Sequence, residues 1–158
     1  MPISVRPARL DDRAFIDELG VASAAETVSP LRVVPHHVAA EGFRKLFEYC
    51  ETRSRAVLVA ERDGQRAGFA ILLFDVVDEV SQRTQAFVAY MAVAPPHRRR
   101  GVAMALLAAA EEEARRVGLS HLTLMVTEAA TPARSLYAKA GFFDERVQMT
   151  KAIARAAR

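Results

Sequence analysis

The stretch "VAPPHRRRGVAMALL", Val93–Leu107, decides the fold, because it joins an apolar strand to an apolar helix through a basic loop. The segment before it, "AFVAYMAV", is almost wholly apolar, which predicts a strand buried on both faces. After the prolines, three arginines precede Gly101, where the helix begins. N–H groups in the first turn of a helix lack intrahelical acceptors, and the helix dipole favours an anion there. The stretch therefore predicts a strand–loop–helix unit whose loop is suited to a phosphate.

The side chains of this loop fit that reading. Gly101 and Ala103 are small enough to let an anion approach the backbone, and arginine forks match pairs of phosphate oxygens. Neither G-x-x-x-x-G-K-[ST] nor G-x-G-x-x-G occurs, which argues against a nucleotide P-loop and a dinucleotide fingerprint. Taken alone, the RRRG run favours a merely solvated basic loop, so a further motif has to decide between the two.

Working outward, the sequence predicts a mixed sheet. "ISVRPA" indicates a strand. A first helix is predicted to be capped by Asp11 and to end at Gly20, and the segment from His36 to about Thr52 has the pattern of an amphipathic helix. Asp63-Gly64 predicts a hairpin between the strands in "RAVLVAE" and "RAGFAILLFDVV", and the strand "AFVAYMAV" and the helix of the opening stretch follow. A strand in "HLTLMVTE", a helix over Pro132–Ala140 and one or two strands in "FFDERVQMTKAIA" complete the order. We expect one α/β (α+β) domain over residues 1–158, with a mostly antiparallel sheet of six or seven strands and helices on both faces.

Composition limits the function. The 158 residues carry a net charge of +3 and a calculated pI near 9.4, compatible with an anionic ligand without demanding a nucleic acid. One cysteine, Cys50, excludes an internal disulfide and reads as a packed thiol. His97 and His121 have no partner at metal-ligand spacing, so no metal is expected. No apolar run is long enough for a membrane helix and no signal peptide is evident, which predicts a cytoplasmic protein without a membrane partner.

Two motifs together carry a family resemblance. "V-x-P-x-x-R-x-x-G-x-A-x-x-L-L" (Val93–Leu107) is followed, after a strand, by "A-x-x-L-Y-x-x-x-G-F" (Ala133–Phe142). The pair resembles the GNAT superfamily of acyl-CoA-dependent N-acetyltransferases. The resemblance implies acetyl-CoA as acyl donor and two parallel central strands that splay around its pantetheine arm. It assigns cofactor contacts to Met91, Ala92, Val93, Arg98, Arg99, Arg100, Gly101, Val102, Ala103, Met104, Ala133 and Tyr137.

The same resemblance makes Tyr137 the general acid for the departing thiolate, with helix packing as the competing interpretation of this side chain. The sequence departs from the family at two places. Ala130 stands where Asn is frequent, which removes one hydrogen bond to the CoA arm unless Thr131 or the backbone replaces it. The strand before Val93 also has no carboxylate to serve as base, although an amine that is protonated at neutral pH must lose a proton. The open candidates for that base are Glu26, Asp75, Asp78, Glu79, Glu128, His36 and His37.

Three functions follow from these observations. The first is an N-acetyltransferase whose amine attacks the thioester directly; a small-molecule acceptor is favoured over a protein, and a homodimer is left open. The second is an acyl-CoA-binding or sensing module without turnover, favoured by Ala130 and the missing carboxylate. The third, a nucleic-acid-binding protein, ranks last because basic residues are interleaved with acids and aromatics make up 7% of the chain. The segments Val21–Pro35 and Asp78–Gln82 are expected to line the acceptor side, and Tyr90 is either a substrate contact or core.

Overall fold

A five-stranded sheet organises the chain in the computed structural model, which describes residues 2–155. The strands are β1 (Ile3–Pro7), β2 (Arg55–Arg62), β3 (Gln65–Val77), β4 (Thr84–Val93) and β5 (Leu122–Leu124). The helices are α1 (Arg13–Ser23), α2 (His36–Glu51), α3 (Val102–Arg116) and α4 (Thr131–Lys139). Short 3-10 turns cover Leu10–Asp12, Ala24–Thr27 and Pro95–His97. Within residues 2–155, no helix combines the length and apolar character needed to cross a bilayer.

The strands lie in the order in which they occur in the chain. The pairs β1–β2, β2–β3 and β3–β4 are antiparallel, whereas β4 and β5 are parallel and are connected through α3. The predicted hairpin between β2 and β3 is confirmed: Asp63 and Gly64 both have positive φ, 56° and 73°. Two successive positive φ values are typical of the turn whose twist matches that of the flanking strands.

Helices cover both faces of the sheet, as the sequence predicts. One core joins α1 and α2 to the sheet through Ile16, Leu19, Phe43, Phe47, Val59, Phe69, Ile71 and Leu73. The other joins α3 to the opposite face through Leu58, Ala60, Ala70, Leu72, Val102, Leu106 and Ala110. Successive residues of β3 alternate between the two cores, which is why its sequence reads as one continuous apolar run.

Gly20 lies inside α1, so the prediction that it ends the helix is wrong. A Cβ atom at this position would lie 2.1 Å from the Cε1 atom of the Phe43 ring. Phe43 is buried in α2, so its ring would have to move within a packed core. The glycine is therefore explained by the close approach of α1 and α2 and not by a helix stop.

We expect alanine to have opposite effects at the two glycines of these helices. At Gly42, in α2, an added Cβ atom would have no other atom within 4 Å, so Gly42→Ala should raise the free energy of unfolding by about 0.5–1 kcal/mol. Gly20→Ala brings the same gain in helix propensity but forces the Phe43 ring to shift. This variant should therefore lower the free energy of unfolding by about 1–3 kcal/mol. Urea unfolding of the two variants measures both changes. Equal effects would show that the helix contact is looser than the structure has it.

The prediction of six or seven strands is wrong for the part of the chain that the structure describes. Residues 142–155 contain no strand, and β5 is therefore an edge strand and not a central one. The alternating side chains of Val147 and Met149 are 77% and 91% exposed. Ion pairs of Arg134 with Asp144 (2.9 Å) and of Arg146 with Asp78 hold this segment against α4 and the β3–β4 turn. In this position the segment does not pair with the three-residue edge of β5.

Candidate active site

A bulge divides β4 into two parts. Ile71 pairs with Tyr90 and Leu72 with Val88, so that Ala89 is an extra residue opposite β3. Pairing with β5 runs from Ala86 to Val88 and stops there. Because a bulge bends a strand and increases its twist, β4 leaves β5 at this point. From Ala89 to Val93, β4 is paired with β3 alone within the described residues, and its other edge is open.

Backbone N–H groups point into this open edge. The N–H group of Ala94 donates to the carbonyl oxygen of Ala67 at 2.8 Å, on the β3 side. Successive N–H groups of a strand point to opposite edges, so those of Met91 and Val93 point away from β3. The bulge produces this arrangement, because before it the N–H group of Ala86 already donates towards β5, to His121, at 2.9 Å. The open edge therefore offers donors and acceptors to an extended ligand.

The N-terminus of α3 follows this edge closely along the chain. Gly101 caps the helix with φ 86°, a left-handed conformation that favours glycine. The first intrahelical hydrogen bond is donated by the N–H group of Ala105 to the carbonyl oxygen of Gly101, at 3.0 Å. Within residues 2–155, the N–H groups of residues 102–104 donate to no protein acceptor. The structure thus provides the unpaired donors that anion binding requires.

Close packing brings the edge and the helix together. A Cβ atom on Gly68 of β3 would lie 2.7 Å from the carbonyl oxygen of Ala92 and 3.3 Å from a methyl group of Val102. Only a residue without a side chain therefore fits between the end of β4 and the first turn of α3. The end of β4 and the first turn of α3 are therefore in close contact.

The three arginines of the loop differ in their contacts. Arg98 donates through Nε to the carbonyl oxygen of Val93 at 3.0 Å and through Nη2 to Oε1 of Glu26 at 3.1 Å. Arg99 has a positive φ of 59°, and its side chain and that of Arg100 are exposed. Neither of these two forms an ion pair in the part of the chain that the structure describes. Their positive charge is available to a bound anion.

The 3-10 turn Ala24–Thr27 spans the open end of the gap between β4 and the chain after β5. On the β4 side, Glu26 contacts Arg98. On the other side, the hydroxyl of Thr127 donates to the carbonyl oxygen of Thr27 at 3.0 Å. The expectation that residues 21–35 line the acceptor side remains a prediction, and this turn is the part of that segment that contacts Arg98.

Tyr137 lies in α4, none of whose side chains is fully buried. Its half-buried ring packs edge-on against Phe142 at 5.9 Å between centroids, and burial raises the pKa of its hydroxyl. A tyrosine hydroxyl whose pKa is raised from about 10 is protonated at neutral pH. Among the described residues no protein group hydrogen-bonds to it, so it is available as a donor. Ala133 is half-buried on the same helix, and Ala130 caps it without a side-chain hydrogen bond.

Most of the carboxylates considered as a base are bound to arginine. Arg53 donates to Asp75 at 2.7 Å and lowers the pKa of that carboxyl. Hydrogen bonds from Ser81, together with Arg146, lower the pKa of Asp78 to about 2. The remaining pairs are Arg146 with Glu79, Arg134 with Glu128 and Arg98 with Glu26. Asp78 and Glu79 lie next to the start of β4, and that start is about 30 Å along the strand from Val93.

Tyr90, Cys50 and His97 lie wholly or partly in the core, whereas His36, His37 and His121 are exposed. Tyr90 is half-buried beside Phe43, and its hydroxyl lies 2.8 Å from the Ser23 hydroxyl, so it joins α1 to the sheet. Cys50 is fully buried and burial raises its pKa, as expected of a packed thiol. His97 is 8% exposed and its Nδ1 atom has no partner in the described residues. Over those same residues, no three His, Cys, Asp or Glu side chains are placed to hold a metal.

Sequence reasoning missed a buried charge network beside β1. The carboxylate of Asp12 has no exposed surface; Arg6 donates to it at 2.7 Å and Arg66 at 2.6 Å, and the N–H group of Arg9 donates at 2.7 Å. The predicted cap, Asp11, is exposed instead. An open cleft of about 670 Å³ adjoins this network, and one of about 880 Å³ lies between α1, β2 and the end of α3. Neither cleft includes a predicted site residue, because the predicted site is an open strand edge and not a concavity.

The chain is similar to proteins of one known family. The model of the acetyltransferase (GNAT) family matches residues 29–142, which include the loop, α3 and α4 up to Phe142. The chain belongs to the GNAT acetyltransferase family. Streptothricin acetyltransferase from Streptomyces lavendulae is 33% identical over 89 residues, 56% of this chain and 44% of that enzyme. This GNAT chain thus matches less than half the length of the curated relative.

Solved structures share the fold. A Pyrococcus furiosus structure that carries an acetyl transferase assignment superposes with a TM-score of 0.80, at 22% identity, over 96% of this chain and 100% of that one. The aminoglycoside N-acetyltransferase AAC(6')-Iy, solved in complex with CoA, gives 0.69 at 19% identity, over 97% and 96% of the two chains. At such identities the likeness concerns the GNAT fold alone.

Proposed function

We propose that this GNAT protein is an N-acetyltransferase that transfers the acetyl group of acetyl-CoA to a primary amine. One observation carries the proposal: the open edge at Met91–Val93 leads directly to the unpaired N–H groups at the start of α3. An extended arm that ends in a diphosphate has the chemistry to use both parts of this surface. CoA is bound in the structural neighbour AAC(6')-Iy, which supports the same donor here.

Each part of the site has a role in this proposal. Residues 98–104 hold the diphosphate through backbone N–H groups and arginine side chains, while Met91, Ala92 and Val93 pair with the pantetheine arm. Ala133 and Tyr137 contact the arm from α4. A free N–H group of β4 stabilises negative charge on the thioester oxygen as the amine attacks. Binding both substrates side by side supplies much of the rate acceleration, because the reacting atoms are already aligned.

The reaction needs no acyl-enzyme. The amine nitrogen forms a bond to the acetyl carbon, the carbon–sulfur bond breaks, and CoA leaves as a thiolate. The Tyr137 hydroxyl donates to the thiolate sulfur, since burial keeps this hydroxyl protonated. One proton of the attacking amine ends on sulfur, and a second must leave because the amine begins as an ammonium ion.

We favour a small-molecule acceptor. The curated relative is a streptothricin acetyltransferase, and several structural neighbours are aminoglycoside N-acetyltransferases. Both names denote acetylation of small molecules, and they define the first acceptors to try with this chain.

A second candidate is an acyl-CoA-binding module without turnover. It is supported by the absence of any carboxylate from β4 and by the arginine contacts of the carboxylates considered as a base. The two functions separate in an assay of free thiol released from acetyl-CoA in the presence of streptothricin, aminoglycosides and simple polyamines. Amine-dependent thiol release and an acetylated product establish the transferase, whereas acetyl-CoA binding without release under all acceptors establishes the module.

Replacing Tyr137 by Phe should lower kcat by about 10²-fold, at the low end for general acid catalysis because a thiolate is a good leaving group. The Phe142 contact is preserved, so the affinity for acetyl-CoA and the melting temperature should stay unchanged. Steady-state kinetics on the best acceptor and calorimetric titration of acetyl-CoA measure the two effects. An unchanged kcat would assign Tyr137 to packing alone.

A further inference from the structure

Glu26 is the candidate carboxylate that a single side chain connects to the open edge of β4. The Arg98 guanidinium contacts both the Val93 carbonyl oxygen, at 3.0 Å, and the Glu26 carboxylate, at 3.1 Å. The Glu26 side chain is 59% exposed, so it is free to take another partner. Its turn is held across the gap by the contact between Thr27 and Thr127. Glu26 thus lies at the mouth of the gap into which the thioester is proposed to enter.

The arginine that holds Glu26 differs from those that hold the other carboxylates. Asp75 is bound by Arg53, Asp78 and Glu79 by Arg146, and Glu128 by Arg134. None of these arginines belongs to the loop at the start of α3. Arg98 does, so a diphosphate at that loop competes with Glu26 for one guanidinium.

We propose that donor binding transfers Arg98 from Glu26 to the diphosphate, and that the released Glu26 carboxylate then binds the ammonium group of the acceptor. This inference rests on the proposed acetyltransferase function. The exchange favours the diphosphate, because it carries more charge and suits the planar arginine fork, whereas exposed carboxylate pairs are weak. The acceptor site is therefore completed after acetyl-CoA has bound.

The same carboxylate provides a path for the ammonium proton. In the ternary complex the ammonium gives one proton to Glu26, and the neutral amine forms the bond to the acetyl carbon while the carbon–sulfur bond breaks. The Tyr137 hydroxyl gives its proton to the CoA sulfur and is reprotonated by the remaining proton from nitrogen, while Glu26 returns its own proton to solvent. The products are the amide, CoA as a thiol and one proton, so that atoms and charge balance.

The test compares Glu26→Gln with Glu111→Gln by calorimetric titration of acetyl-CoA and CoA. Glu111 is a matched control, since its 61% exposed side chain also pairs with an arginine, Arg115 at 2.7 Å, but towards the other end of α3. Because Glu26→Gln removes the competitor for Arg98, the Kd for both CoA forms should fall about 2- to 5-fold, in keeping with the strength of exposed pairs. Glu111→Gln should leave it unchanged. With any acceptor that is turned over, Glu26→Gln should raise the KM for the amine at least 10-fold.

Arg98→Ala provides the second half of a double-mutant cycle. In that background, Glu26→Gln should have no effect on CoA affinity, since there is no guanidinium to release. Equal CoA affinity of the wild type and Glu26→Gln, or an effect that persists without Arg98, overturns the inference while leaving the acetyltransferase in place. If the wild type binds neither acetyl-CoA nor CoA, the proposed function itself fails, and this inference with it.

Discussion

Glutamate in place of Gly101 is expected to weaken acetyl-CoA binding by about 10³-fold. The new carboxylate would stand at the start of α3, among the N–H groups that are to receive the diphosphate. A charge pair at about 4 Å and an effective dielectric constant of about 20 repels by about 4 kcal/mol, which corresponds to that factor. Calorimetric titration of the variant with acetyl-CoA measures the loss directly.

A second glycine provides the control for backbone strain. Gly101 and Gly118 both have left-handed backbone, with φ of 86° and 80°, and a glutamate at either costs about 1–2 kcal/mol of stability. No atom lies within 4 Å of a Cβ at Gly118, which follows the C-terminus of α3. Gly118→Glu should therefore show a similar loss of stability with normal acetyl-CoA affinity. Equal affinities in the two variants would move the donor site away from this loop.

Asparagine in place of Asp12 is expected to lower the free energy of unfolding by about 3 kcal/mol, because removing one partner of a buried ion pair leaves the other uncompensated. Arg6, whose side chain is 17% exposed, keeps Glu61 as a partner at 2.5 Å, which places the loss at the low end. At this chain length the melting temperature should fall by about 6–12 °C. Asp11→Asn, at the exposed neighbouring carboxylate, is the matched control and should change stability little.

The same pair predicts a pH dependence of definite sign. Hydrogen bonds and charge from Arg6 hold the pKa of Asp12 well below its usual range. A carboxyl whose folded pKa is depressed contributes stability that is complete above its unfolded pKa, about 3.9, and is lost as the pH falls through the folded value. The difference in melting temperature between the wild type and Asp12→Asn should therefore be constant from pH 7 to about pH 5 and shrink below about pH 4. A constant difference down to pH 2 would mean that Asp12 acts through shape and not through charge.

Local rules predicted the elements whose sequence signals act within a few residues. The Asp63-Gly64 turn, α2 and the strand–loop–helix unit around Gly101 all form as expected, because each depends on backbone conformation or periodicity nearby. The two family motifs then led to the correct superfamily. What the motifs imply for Tyr137 and the loop stays a prediction until donor binding is measured.

Contacts between distant residues were beyond such rules. Gly20 reads as a helix stop, but Phe43 in the next helix explains it. The pairing of Glu26 with Arg98 joins residues 72 positions apart, and nothing in the sequence around Glu26 indicates this partner. The sequence predicted one or two strands in "FFDERVQMTKAIA", yet strand formation also needs a partner edge, and Asp144 and Arg146 of this segment contact α4 and the β3–β4 turn instead.

Thermal unfolding with acetyl-CoA, CoA and ATP, each in excess, tests whether a CoA site lies at the start of α3. At about 100 times its Kd a ligand stabilises the native state by about 2.7 kcal/mol, a rise in melting temperature of about 5–10 °C for a chain of this length. The account predicts such a rise with acetyl-CoA and CoA and none with ATP. No rise with either CoA form, or an equal rise with ATP, would contradict a CoA site at the start of α3.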